Sequence, residues 1–122
     1  CAVALAMLEI IEKEDLVGQA ERKGKRLLVK LKEALSDHPN VGDVRGLGMM
    51  CAVEYVQDRA TREPFDAKEN IGARIHGETV ERGMFSRTRG DVYCIAPPIV
   101  TEEGTIEEIA EILAESTQEV LG

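Results

Sequence analysis

A chain of 122 residues with 43% hydrophobic and 31% charged side chains has the make-up of one folded domain rather than of a disordered segment. Its formal net charge of -8 argues against nucleic acid or an anionic membrane as partner, because those ligands recruit basic patches. With 3% aromatic residues and no Trp, the core has to be built from aliphatic side chains.

The first segment, Ala2 to Ile11, reads as a helix that is apolar all the way round. Such a helix expects protein on every side, which predicts that the chain belongs to a longer polypeptide. It lacks the basic flank and the small-residue cleavage site of a signal peptide. It also falls short of the roughly 20 residues that cross a bilayer. A cytoplasmic protein is the expectation.

Asp15 can cap a second helix, in which Ala20, Leu27, Leu28, Leu31 and Leu35 recur at helical spacing between charged residues. Gly18 and Gly24 weaken it, and His38-Pro39-Asn40 stops it. Val41 to Gly48 carries three glycines and reads as a turn leading into a strand over Met49 to Val56. The polar stretch Gln57 to Lys68 contains Pro64 and reads as a long loop. A third helix is expected over Glu69 to Arg82, stopped by Gly83. Two short strands follow, Met84 to Thr88 and Val92 to Ala96, with Arg89-Gly90-Asp91 as the turn and Pro97-Pro98 as the end. Thr101 can cap a last helix with Ile106, Ile109, Leu113 and Val120 on one stripe. The pattern predicts an α+β fold of two layers, a small and mainly antiparallel sheet covered by helices.

The residues offer little independent chemistry. Cys1, Cys51 and Cys94 have neither the pairing nor the C-x-x-C spacing of a zinc or redox site, and read as free thiols. His38 and His76 stand apart from each other and from acidic clusters, so no metal site and no catalytic constellation is expected. Gly46-Leu47-Gly48 lacks the third glycine of a dinucleotide fingerprint, and Arg89-Gly90-Asp91 is a turn rather than an adhesion motif. Glu102, Glu103, Glu107 and Glu108 suit the positive end of the last helix rather than acid–base work.

In series, however, Asn40-Val41-Gly42-Asp43-Val44-Arg45-Gly46-Leu47-Gly48-Met49-Met50, Arg82-Gly83-Met84, Ser86-Arg87-Thr88-Arg89-Gly90-Asp91 and Ile95-Ala96-Pro97-Pro98 resemble the C-terminal small domain of class III aminotransferases. The opening Cys1 to Ile11 is similar to the helix that enters that domain from the large one, so residues 1–14 would be the connecting helix and residues 1–122 the small domain. The resemblance implies a homodimeric parent that uses pyridoxal phosphate to move an amino group between an amine or amino acid and a keto acid. It implies that the cofactor's lysine, its aspartate and its phosphate cradle lie in the missing large domain. Lys13, Lys23, Lys25, Lys30, Lys32 and Lys68 match no cofactor-lysine motif, so this chain alone is expected to bind no cofactor and to catalyse nothing. The resemblance also implies that Arg87, in the R-x-x-G pattern ending at Gly90, binds the substrate carboxylate. Arg89 is the competing candidate for that clamp, and Arg45 is read as structural. The other reading of the chain is a free-standing α+β binding or interaction module without catalysis.

Overall fold

The computed structural model describes all of Cys1–Gly122. Four helices lie in order along the chain: α1 (Ala2–Lys13), α2 (Leu16–Leu35), α3 (Ile71–Glu81) and α4 (Glu103–Leu121). Four strands lie between them in two pairs: β1 (Val41–Leu47) and β2 (Met50–Tyr55) between α2 and α3, then β3 (Arg87–Arg89) and β4 (Val92–Ile95) before α4. They form one sheet in the order β1-β2-β4-β3, and every pairing is antiparallel. The two-layer α+β architecture expected from the sequence is therefore present, with the sheet wholly rather than mainly antiparallel.

The core lies between the sheet and three helices. Val41, Val44, Cys51, Val53, Tyr55, Tyr93 and Ile95 point from the strands toward Leu27, Leu31 and Leu35 of α2, Ile71 and Ile75 of α3, and Ile106, Ile109, Ala110 and Leu113 of α4. Side chains alternate across a strand, so the residues between them face away from the helices. Two tyrosines fill the space that the aliphatics leave. The Tyr55 hydroxyl meets Thr117 Oγ1 at 2.7 Å and the Tyr93 hydroxyl meets Thr79 Oγ1 at 2.7 Å, which satisfies two buried polar groups. Burial pushes both phenol pKa values up, and these hydrogen bonds oppose the shift.

Several local expectations change. Val41–Leu47 is a strand, not the turn its glycines suggest, and the turn is confined to Gly48 and Met49. The ladder shifts register between Val41 and Asp43, so that Val41 and Val44 both reach the core although three positions apart. Asp15 is the residue before α2, but it sits at φ 49° and makes no capping bond; its carboxylate pairs with Arg22. Thr101 does not cap α4 either, since Glu102 is the residue that precedes the helix; the Thr101 hydroxyl instead donates to the Pro98 carbonyl at 2.6 Å. The stretch after β2 closes on itself through an Asp58–Glu63 bridge and Asp58 Oδ1 accepting from the Ala60 and Thr61 amides. Helix α1 stands clear of the core. Val3 is 85% exposed, and Leu5, Met7, Leu8 and Ile10 are exposed as well.

Candidate functional site

The face of the sheet that the helices leave bare is where the sequence-predicted site residues meet. Register places Arg45, Ala52, Cys94 and Arg87 side by side across all four strands, and Asp43, Glu54, Val92 and Arg89 in the next row. Residues in register across neighbouring strands, or two apart on one strand, share a face. Arg87 and Arg89 thus point outward together on β3, an edge strand of three residues. A cavity of about 720 Å³ opens over this face, lined by Arg45, Arg87 and Arg89 together with Met50, Phe85 and Cys94.

The three arginines differ in what they hold. Arg45 Nη1 donates to Asp43 Oδ2 at 3.0 Å and to Glu54 Oε2 at 2.7 Å, and these carboxylates hold its pKa above the usual arginine value. Its pairs are half exposed, so they add little stability. Their effect is on the field, because Arg45 engages both acids of the face and offsets one of their two negative charges. Arg87 and Arg89 have no ion pair or side-chain hydrogen bond within the chain, and both guanidinium groups remain available to an anion. An apolar floor with free planar forks at its edge suits a carboxylate carried on an apolar body.

What holds β3 in place is less visible from sequence. The His76 ring on α3 bonds the Ser86 carbonyl through Nε2 at 3.0 Å, one residue before Arg87. A carbonyl only accepts, so Nε2 carries the hydrogen. The Ser86 hydroxyl donates to the carbonyl of Cys94, the residue opposite Arg87 in the ladder. Phe85 stands edge-on to the His76 ring, with centroids 5.5 Å apart. At the other end of the hairpin, the Gly72 amide donates to Asp91 Oδ1 at 2.9 Å. Ser86 opens the Ser86 to Asp91 block of the sequence without being singled out within it, and no motif marks His76.

The remaining candidates disperse. His38 lies half-buried beside Asn40, remote from the sheet face. Cys51 faces the core, where burial pushes its thiol pKa up, while Cys94 faces the cavity and Cys1 is exposed. No cluster of three or more His, Cys, Asp or Glu side chains has metal-binding spacing. No helix is long and apolar enough to cross a membrane.

Comparison with known proteins gives the family of the chain as a whole. The family model described as aminotransferase class-III matches residues 1–116. An adenosylmethionine-8-amino-7-oxononanoate aminotransferase of Geobacter sulfurreducens is 43% identical, with 100% of this chain and 27% of that one covered. A diaminobutyrate–2-oxoglutarate transaminase of Halomonas elongata is 41% identical, with 98% and 25% covered. Among solved structures, the adenosylmethionine-8-amino-7-oxononanoate aminotransferase of Methanocaldococcus jannaschii superposes with a TM-score of 0.90 at 34% identity, covering 100% of this chain and 28% of that one. The omega transaminase of Pseudomonas jessenii in complex with PMP superposes with a TM-score of 0.88 at 39% identity, covering 98% and 27%. The chain spans about a quarter of the length of these relatives.

Proposed function

Because the chain belongs to the class III aminotransferases, we propose that it is the small C-terminal domain of such an enzyme and contributes the arginine that holds the substrate's carboxylate. The parent reaction would transfer an amino group between an amine or amino acid and a keto acid. The observation that carries this reading is Arg87: a guanidinium with no partner in the chain, on the helix-free face of the sheet, at the edge of an apolar cavity. Residues 1–14 would be the helix entering from the large domain, whose surface would cover the exposed side chains of α1. The homodimer of the parent belongs to the same proposal.

Pyridoxal phosphate is the cofactor the family implies, and it supplies the electron sink for amino transfer when bound. The residues on this sheet face do not fit it. No lysine or aspartate lines the cavity, and the nearby Asp43 is engaged by Arg45. Lys25 and Lys30 are paired with Glu21 and Glu33, and Lys23 donates to the Ile99 carbonyl at 2.8 Å. The donor set fits a carboxylate. What this chain's residues would do is bind that carboxylate in a fork, orient the donor by it, and keep water from the apolar side with Phe85 and Met50.

The reading is tested by supplying the chain alone with pyridoxal phosphate, an amine donor and a keto acid. No turnover is expected, and borohydride reduction should leave no stoichiometric adduct on any one lysine. A specific adduct would overturn the assignment of the cofactor site to another part of the enzyme.

A further inference from the structure

We propose that His76 is a positioning residue for Arg87, acting through the Ser86 carbonyl. The proposal rests on Arg87 being the carboxylate clamp. Ser86 O and Arg87 N belong to one planar peptide unit, so a bond to that oxygen orients the plane from which the Arg87 side chain departs. The bond from His76 Nε2 measures 3.0 Å. The ring itself is held by its own helix and by the core. Thr79 Oγ1 donates to the His76 carbonyl at 2.9 Å and also meets the Tyr93 hydroxyl, which is fully buried, and the ring lies 6.3 Å from that of Tyr93 and edge-on to Phe85.

Strand β3 needs this support. It is three residues long, sits at the sheet edge and pairs only with β4, and the four residues before it, Gly83 to Ser86, lie outside any helix or strand. A short edge strand is held by few ladder bonds. The clamp acts from the face of this strand that the helices leave bare. Ser86 is gripped twice, by α3 through its carbonyl and by β4 through its hydroxyl on Cys94 O. A displaced donor of this kind costs rate because binding groups must be placed to within a fraction of an ångström.

Two substitutions separate the hydrogen bond from the ring. His76→Phe keeps an aromatic ring against Phe85 and Tyr93 but has no donor. His76→Gln loses the ring but can present an amide N–H at a position close to that of Nε2. In the full-length enzyme that contains this chain, single-turnover rates are measured with the donor alone, for a carboxylate-bearing donor and for a plain arylalkylamine. The ratio of the two kcat/KM values should fall about tenfold in His76→Phe, the order expected for one lost hydrogen bond. It should recover most of that in His76→Gln. In an Arg87→Ala background, His76→Phe should have no further effect on the ratio, because nothing is left to position. If Arg87→Ala collapses the ratio while His76→Phe leaves it unchanged, or lowers both substrates equally, the positioning role is overturned and the clamp stands. If Arg87→Ala itself leaves the ratio unchanged, the clamp assignment fails and the positioning role fails with it. Melting temperatures of the variants distinguish a lost alignment from a lost fold.

Discussion

Gly24 on α2 lies so close to the β1–β2 turn that a Cβ built on it would stand 1.9 Å from the carbonyl oxygen of Gly48. The same relation recurs at the other hairpin, where a Cβ on Gly72 of α3 would stand 2.1 Å from the carbonyl oxygen of Gly90. Each contact is backbone against backbone, and each turn glycine has a positive φ, 55° at Gly48 and 58° at Gly90. Neither side can yield by turning a side chain.

Gly24→Ala and Gly72→Ala should therefore each destabilise the fold by about 2 to 3 kcal/mol, the upper range for overpacking. Gly77 on α3 has nothing within 4 Å of a built Cβ. There alanine should stabilise by about 0.5 to 1 kcal/mol, through helix propensity and a less disordered unfolded chain. Urea denaturation of the three variants checks the contrast. Equal effects at Gly24 and Gly77 would mean that the close approach is not retained in solution.

Arg87→Ala, made in the parent enzyme, should lower kcat/KM for a carboxylate-bearing donor by roughly thirtyfold or more, since losing one member of a buried charge pair costs about 2 to 5 kcal/mol. A plain arylalkylamine should be affected far less. Arg87→Lys should restore only part of the loss, because an ammonium keeps the charge and not the planar fork. Arg89→Ala is the control, as its side chain shares the face and likewise has no partner. A collapse in Arg89→Ala with Arg87→Ala unaffected would move the clamp by two residues.

Much of this was legible in the residues and some was not. The amphipathic period marks α2, α3 and α4, because a helix that covers a sheet must present one apolar stripe. β1 reads as a turn because Gly42, Gly46 and Gly48 fall at every second or fourth position, although two of them lie inside the strand. A strand tolerates glycine where its neighbours crowd in, and a Cβ on Gly46 would meet Cys51 Sγ at 2.5 Å. Asp15 and Thr101 have the right chemistry for caps, but Asp15 sits at φ 49° and Thr101 lies one residue before the capping position, which Glu102 holds. Arg87 could be found only through its resemblance to a family pattern. His76 could not be found at all, since its partner is a main-chain carbonyl, which leaves no mark on residue identity.

Helix α1 carries Val3, Leu5, Met7, Leu8 and Ile10 in solvent. The isolated chain should self-associate through this helix at about micromolar concentration, because so large an apolar patch on a small domain is costly to leave wet. Sedimentation velocity of the whole chain and of a variant lacking residues 2–11 makes the comparison. A monomer in both would remove the idea.

His38 supplies a pH dependence. The Asn40 amide donates to its Nδ1 at 3.2 Å, so in the neutral ring Nε2 bears the hydrogen, and Nε2 is buried without a partner. Burial pushes its pKa below the ordinary histidine value. The unfolded chain thus binds more protons as pH falls through about 6.5, and the stability from this group is complete above that pH and lost as pH drops through the lowered folded pKa. Wild type should lose more melting temperature than His38→Gln between about pH 7.5 and pH 5. Parallel losses would show that other groups govern the acid limb.

The alternation of side chains across β2, β3 and β4 divides the mutational labour of the sheet. Positions 45, 52, 87 and 94 make up one lateral row on the bare face, while Cys51, Val53, Tyr93 and Ile95 between them belong to the core. A combinatorial library confined to positions 45, 52 and 94 of that row changes the lining of the cavity while leaving Arg87 and the packing that keeps the domain folded untouched. A one-residue deletion inside β3 would exchange the two faces, turning a guanidinium inward and Thr88 outward, so the strand tolerates no change of length.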